Sequence, residues 1–225
     1  MKKIMVVGSG PGLAWDVEQR FGREGWTVVL LARNAERLAQ EVETLKGQGV
    51  DARAHVCDVT DLGKLDRIVR QEAEDGGIDV LNYNAVTLRL NTPLLQTPLE
   101  AIQLDLMVGL GGAVVAARAA VAAMKARGSG TLIFSGGDTG VDPWYLLPLA
   151  GAAKAGLRNF AKCLTRDPDC ADLRIAYVDI DAYILGDIGA ELAELYWKLH
   201  ADPAPPSWDV HFHRPYERPY PKDAA

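Results

Sequence analysis

The sequence predicts an α/β fold: a doubly wound parallel sheet in three layers, built as a single domain. Three observations predict it. Short apolar runs alternate with longer amphipathic stretches along most of the chain. Runs such as Val28-Val29-Leu30-Leu31 are apolar at every residue, the mark of strands covered on both faces. A glycine-rich turn, Gly8-Ser9-Gly10-Pro11-Gly12, separates the first run from the first amphipathic stretch. Parallel strands need a crossover each, and right-handed crossovers through helices cover both sides of the sheet.

Taken in order, Met1-Lys2-Lys3 leads into Ile4–Val7, an apolar run too short for a signal peptide and read as the first strand. Further strands are expected at Thr27–Leu31, Ala52–Val56, Val80–Tyr83, Thr131–Phe134 and Ile175–Val178. Between them, helical periodicity predicts Leu13–Arg23, Ala35–Lys46, Leu62–Ala73, Leu99–Arg127 and Ala152–Leu164, with a last helix from Ile188 to His200. These make a dinucleotide-binding domain over residues 1–200. The tail, 201–225, differs in kind. Pro203, Pro205, Pro206, Pro215, Pro219 and Pro221 exclude a regular helix, and Trp208, Phe212, Tyr216 and Tyr220 are interleaved with them. Val210-His211-Phe212-His213 fits a short edge strand. The tail either packs on its own subunit, stays partly disordered, closes over a pocket, or docks on a second subunit.

Charge and cysteine content narrow the class. With 24 Lys+Arg against 30 Asp+Glu the net charge is −6, which argues against a nucleic-acid partner. The longest apolar run, Leu106 through Ala117, stops at Arg118, short of the roughly 20 residues of a membrane span. Cys57, Cys163 and Cys170 are odd in number and lack metal-site spacing, so inert thiols in a cytoplasmic setting are expected, with no metal.

The glycine-rich turn carries the first chemistry. A turn without side chains lets the backbone approach a pyrophosphate, and it aims the free N–H groups of the following helix at the phosphates. Gly8, Gly10 and Gly12 meet that need, with Ser9 and Leu13 beside them, and the strand–turn–helix context makes this a Rossmann-type nucleotide loop. The second strand ends in Leu31-Ala32-Arg33-Asn34. A carboxylate there would accept the ribose hydroxyls and repel a 2′-phosphate. Ala32 leaves room and Arg33 offers a bidentate cation, so NADP(H) is favoured over NAD(H), with Arg37 one turn into the next helix.

With these residues in view, the chain resembles the short-chain dehydrogenase/reductase family from its start to about Gly186. Gly8-x-x-x-Gly12-Leu13-Ala14 is similar to the family's TGxxxGIG. Cys57-Asp58-Val59-Thr60-Asp61 matches the segment after the third strand, whose Asp58 would meet the adenine, with Val59 beside it. Asp79 to Ala85 resembles the stretch ending in NNAG, with Asn84 and Ala85 in register, Tyr83 for the first Asn and Val86 for the Gly. Met124 to Ile133 is close to the family's approach to its fifth strand. The resemblance implies a small-molecule substrate and a homodimer or homotetramer paired through long helices. Gly109, Gly111, Gly112 and the alanines from Ala113 to Ala123 make the corresponding helix thin, which suits close approach.

The family's chemistry uses an Asn, a Ser and a Tyr-x-x-x-Lys pair. Here Lys154 stands at the Lys position, where the resemblance implies that it holds the nicotinamide ribose. The Tyr position is Ala150, the Ser position Gly137 and the Asn position Gly109. The Pro-Gly that follows the sixth strand in most members is absent from Asp179-Ile180-Asp181-Ala182-Tyr183. Ser135 and Tyr145 are candidate replacements in the substrate pocket, and Asp138, Asp142 and Asp181 are candidate acid/base groups. No catalytic set can be assigned. Three functions remain open: an NADP(H)-dependent oxidoreductase with altered acid/base groups, a non-catalytic cofactor-binding sensor or partner subunit, and a pocket turned to a non-redox reaction.

Overall fold

The computed structural model describes residues 2–204 and 207–216. Seven strands form one sheet: β1 (Lys3–Val7), β2 (Thr27–Ala32), β3 (Ala52–Val56), β4 (Val80–Tyr83), β5 (Thr131–Ser135), β6 (Arg174–Asp181) and β7 (Asp209–His213). Their order is β3-β2-β1-β4-β5-β6-β7, and every pairing is parallel. The doubly wound sheet expected from the alternation is therefore present. The order reverses direction between β1 and β4, and the crevice at the C-terminal ends of those strands is where open sheets of this kind bind ligands.

The strands are buried on both faces because their side chains alternate between two cores. Ile4, Val6, Val28 and Leu30 face a layer that contains Val17 and Phe21 of α1 (Leu13–Arg23), Leu38 and Leu45 of α2 (Ala35–Gly47), and Leu192 and Tyr196 of α7 (Ile188–Ala201). Met5, Val7, Val29 and Leu31 face the opposite layer. There they meet Leu65 and Val69 of α3 (Leu62–Glu74), the alanine face of α5 (Gly112–Arg127), and Leu157 and Ala161 of α6 (Pro148–Leu164).

The stretch expected as one helix is divided. α4 (Leu99–Leu106) runs through a π-helical turn, Met107–Gly111, into α5. Tyr83 explains how the wider turn is held: its buried hydroxyl donates to the Val108 carbonyl at 2.5 Å. Gly112 must be glycine beside it, since a Cβ there would strike that hydroxyl. By length and composition the whole stretch Leu99–Arg127 could cross a membrane, against the sequence expectation, because Arg118 interrupts the apolar run without ending the helix. Ala113, Ala116, Ala117, Ala120 and Met124 are instead packed into the core beneath the sheet.

Val210–His213 is an edge strand, as the alternation suggested, extended by Asp209 and laid parallel to β6. Arg158 of α6 pairs with Asp209, and Trp208 packs partly against the core. Pro205, Pro206, Pro219, Tyr220 and Pro221 lie outside the described residues. The three cysteines are free, Cys57 and Cys170 buried and Cys163 exposed.

Candidate active site

Two adjoining cavities open at the C-terminal end of the sheet, sharing Asn84 and Val86. The first, about 680 Å³, is walled by Gly8, Ser9, Arg33, Asn34, Asp58, Val59 and Ala85, with Arg37 and Val108. The second, about 470 Å³, holds Gly12, Leu13, Ser135, Gly137, Ala150 and Lys154.

The glycine loop is shaped by backbone demands. Gly8 has φ 93°, and a Cβ there would collide with the Ala85 nitrogen. Both chains are tied down at this point: the Gly8 and Ser9 amides donate to the Leu31 carbonyl at 2.9 and 3.0 Å, and the Ala85 amide donates to the Val7 carbonyl at 3.1 Å. Gly12, at φ 92°, stands at the N-terminus of α1 with no side-chain cap, and a Cβ there would meet no atom within 4 Å. An uncapped helix start facing open space is an anion site in waiting, since the dipole and the orphan donors favour negative charge. Gly10 lines neither cavity; it lies against the Arg37 guanidinium, which donates to the Ser9 carbonyl at 2.9 Å. Glu18 is fully buried in α1 behind this loop, and burial pushes its carboxyl well above the usual range, which disfavours its charged form beside a phosphate site.

At the far end of the first cavity, Arg33 is two-thirds exposed and stands 3.8 Å from Asp58, too loose and wet a pair to fix either side chain. One oxygen of Asp58 is already taken by the Thr60 amide and hydroxyl at 2.9 and 2.7 Å. The Thr60 amide is the main reason the Asp58 carboxyl is held below its usual range, with Arg33 helping less. Asn34 caps α2 by accepting from the Arg37 amide at 2.9 Å, a structural duty that its place beside Arg33 did not reveal.

In the second cavity Lys154 is 6% exposed, and its ammonium donates to the Ser135 carbonyl at 2.5 Å. Burial lowers its pKa to about 8. Ala150 lies one helical turn before it, and a Cβ on Gly137 would stand 4.0 Å from its Cγ and Cε. Gly109 falls in the π-turn, where a Cβ would meet that of Ala153 at 2.6 Å. Ser135 does line this cavity, but its hydroxyl accepts from Tyr196 at 2.9 Å and Asn82 at 3.2 Å, inside the core. Tyr145 does not line the cavity: it is half exposed, and its neighbour Trp144 is turned inward in its place. Leu88, Leu90, Leu147, Ile180 and Ile184 make the rest of the wall largely apolar. Tyr183 and Tyr216 close it, their rings 4.7 Å apart edge to face. Tyr216 shares this wall because the tail runs past β7 toward the site.

The acid/base candidates scatter. Asp138 lines the second cavity and also a smaller one of about 190 Å³ with Asp142, Asp179 and Asp181. His211 and His213, which share a face of β7, bond to Asp179 at 2.9 Å and Asp181 at 2.8 Å. Among the described residues no three such groups are arranged to hold a metal ion.

A family model described as short chain dehydrogenase matches residues 2–191. An oxidoreductase asL5 of Sarocladium schorii is 30% identical, covering 72% of this chain and 64% of its own length. The 2,3-dihydro-2,3-dihydroxybenzoate dehydrogenase of Bacillus subtilis is 28% identical, covering 89% and 74%. The chain thus spans about two thirds to three quarters of the length of these relatives. Among solved structures, a short-chain dehydrogenase from Rhodopseudomonas palustris superposes with a TM-score of 0.86 at 24% identity, covering 96% of this chain and 99% of the other. A metagenomic short-chain oxidoreductase in complex with NADP gives 0.86 at 21% identity, covering 96% and 98%.

Proposed function

Since the chain belongs to the short-chain dehydrogenase family, we propose that it is an NADP(H)-dependent oxidoreductase with a non-standard catalytic site, acting on a small apolar carbonyl compound. The observation that carries the cofactor reading is Arg33, free to turn at the mouth of the first cavity where Ala32 leaves no carboxylate. A nicotinamide, when bound, supplies the hydride. The chain's own residues do the rest. The Gly8–Gly12 loop and the start of α1 receive the pyrophosphate, and Arg33, with Arg37 behind it, receives the 2′-phosphate. Asp58 and Val59 flank the adenine, Asn84 lies where the two cavities meet with Ala85 beside it on the wall of the first, and Lys154 holds the nicotinamide ribose. The apolar wall of the second cavity excludes water and orients the substrate.

Calorimetric titration with NADPH and NADH tests this. Arg33→Ala is expected to weaken NADPH about 10- to 100-fold, the worth of a charge-assisted hydrogen bond, and to leave NADH unchanged. Equal loss for both cofactors would count against the 2′-phosphate assignment. A second reading, cofactor binding without turnover, is favoured by the missing hydroxyls at Gly137 and Ala150. NADPH binding with no oxidation across a panel of apolar aldehydes and ketones would decide for it.

A further inference from the structure

The second cavity contains a buried ammonium, that of Lys154, and burial is the one cause that shifts its pKa. Lys154 is 6% exposed, and its ammonium donates to a neutral carbonyl, that of Ser135. The carboxylates on neighbouring elements are engaged elsewhere: Asp105 of α4 with Arg89 at 2.7 Å, Asp179 and Asp181 of β6 with His211 and His213. Glu100 of α4 is exposed. Tyr177 of β6 donates to the Lys154 carbonyl at 3.3 Å, and burial pushes its own pKa far up, so it stays neutral. The cavity is also lined by Asp138, next to the Gly137 that lies against the lysine stem, and by Tyr183 and Tyr216.

Two absent side chains decide what the ammonium can reach. Ala150 precedes Lys154 by four residues and so shares its helix face, with only a methyl group to cover it. Gly137 leaves the aliphatic stem of the lysine bare to the cavity from the other side. An acid poised to give up a proton must border the reacting atoms, be shielded from bulk water and titrate near working pH. Lys154 lines the cavity and is shielded, and burial brings its ammonium to about 8.

We propose that Lys154 Nζ is the acid that protonates the substrate oxygen, through the space over Gly137 and Ala150; the assignment rests on the reductase reading above. The step balances. The carbonyl carbon gains the hydride supplied by reduced nicotinamide, the C=O π pair moves onto oxygen, and that oxygen takes a proton from Nζ. The neutral amine left behind recovers a proton from water. Below its pKa the lysine is charged and can donate, so reduction is fast at low pH and falls tenfold per unit above about 8.

The test has two parts. In the first, NADPH oxidation with small apolar aldehydes and ketones is followed from pH 6 to 10.5 for the natural chain, Lys154→Arg and Lys154→Met. The descending limb near pH 8 is expected to vanish in both variants, with kcat at pH 7 lowered about 10²- to 10⁴-fold. A lysine that merely holds the ribose would give a raised KM for NADPH with the same pH profile in Lys154→Arg, and that result overturns the assignment while leaving the reductase reading intact. No turnover by the natural chain with NADPH bound overturns the reductase reading and the proton step together. In the second, acetic anhydride labelling of the natural chain without cofactor is read by mass spectrometry as a function of pH. Lys154 is expected to reach half reactivity near pH 8; a midpoint above 10 overturns the assignment.

Discussion

Glu72 is 3% exposed and charged, held among Lys3 at 2.9 Å, Arg53 at 2.6 Å and His55 at 2.7 Å. Burial alone would raise its pKa, but the hydrogen bonds from His55, Arg53 and Lys3 outweigh it and hold the carboxyl far below its usual value. A carboxyl depressed in the folded state stabilises above its unfolded pKa and loses that contribution as pH falls through the acid range. Glu72→Ala should cost about 3–5 kcal/mol in denaturant unfolding, because it strands the buried Lys3 ammonium. A loss under 1 kcal/mol would mean that the neighbouring carbonyls of Glu72 and Asp75 suffice for Lys3. Single residues differ in how openly the sequence declares them. Arg33 and Asp58 were legible because position after a strand fixes where they stand. The bonds that hold Ser135 were not, since Tyr196 lies 61 residues away and no local pattern joins them.

Elements declared themselves by periodicity where it was clean. α1 spans the expected residues, whereas α6 starts at Pro148 rather than Ala152, because proline suits the first helical turn, where its missing N–H is not needed. The π-turn left no trace in the sequence: a one-residue shift of phase cannot be seen among glycines, alanines and apolar residues that suit every face. Nor could Trp144, Tyr183 and Tyr216 be foreseen as cavity walls, because loops carry no period that says which way a ring points. The Tyr183–Tyr216 pair has a measurable role at this scale. Tyr216→Ala is expected to raise the KM of an apolar carbonyl substrate roughly tenfold, from lost apolar cover of about 1–2 kcal/mol. NADPH affinity should stay the same, and a parallel loss in both would show that the tail instead supports the sheet.

For the whole molecule, both faces of the sheet are covered, yet α4 leaves large apolar side chains bare: Leu95 before it is 98% exposed, and Leu99 and Ile102 within it 83% and 37%. Val114 on α5 is 37% exposed. Leu99 and Ile102, one turn apart on α4, are where pairing of two copies of the chain is expected, since a two-fold dimer uses the same patch on both subunits. Sedimentation equilibrium should show a dimer or tetramer, and Leu99→Glu with Ile102→Glu should shift it to monomer without unfolding it. A natural chain that sediments as a monomer at tens of micromolar would refute the pairing.

The parallel course of β7 has a practical side. All seven strands begin at one edge of the sheet and finish at the other, so Lys3 stands at one edge and His213 at the other, the edge where both cavities open. A bulky label carried on His213, which is exposed, would therefore stand at that edge and compete with ligands for the approach. Carried on the exposed Lys2 just before β1, the same label would stand at the opposite edge and leave the cavities clear.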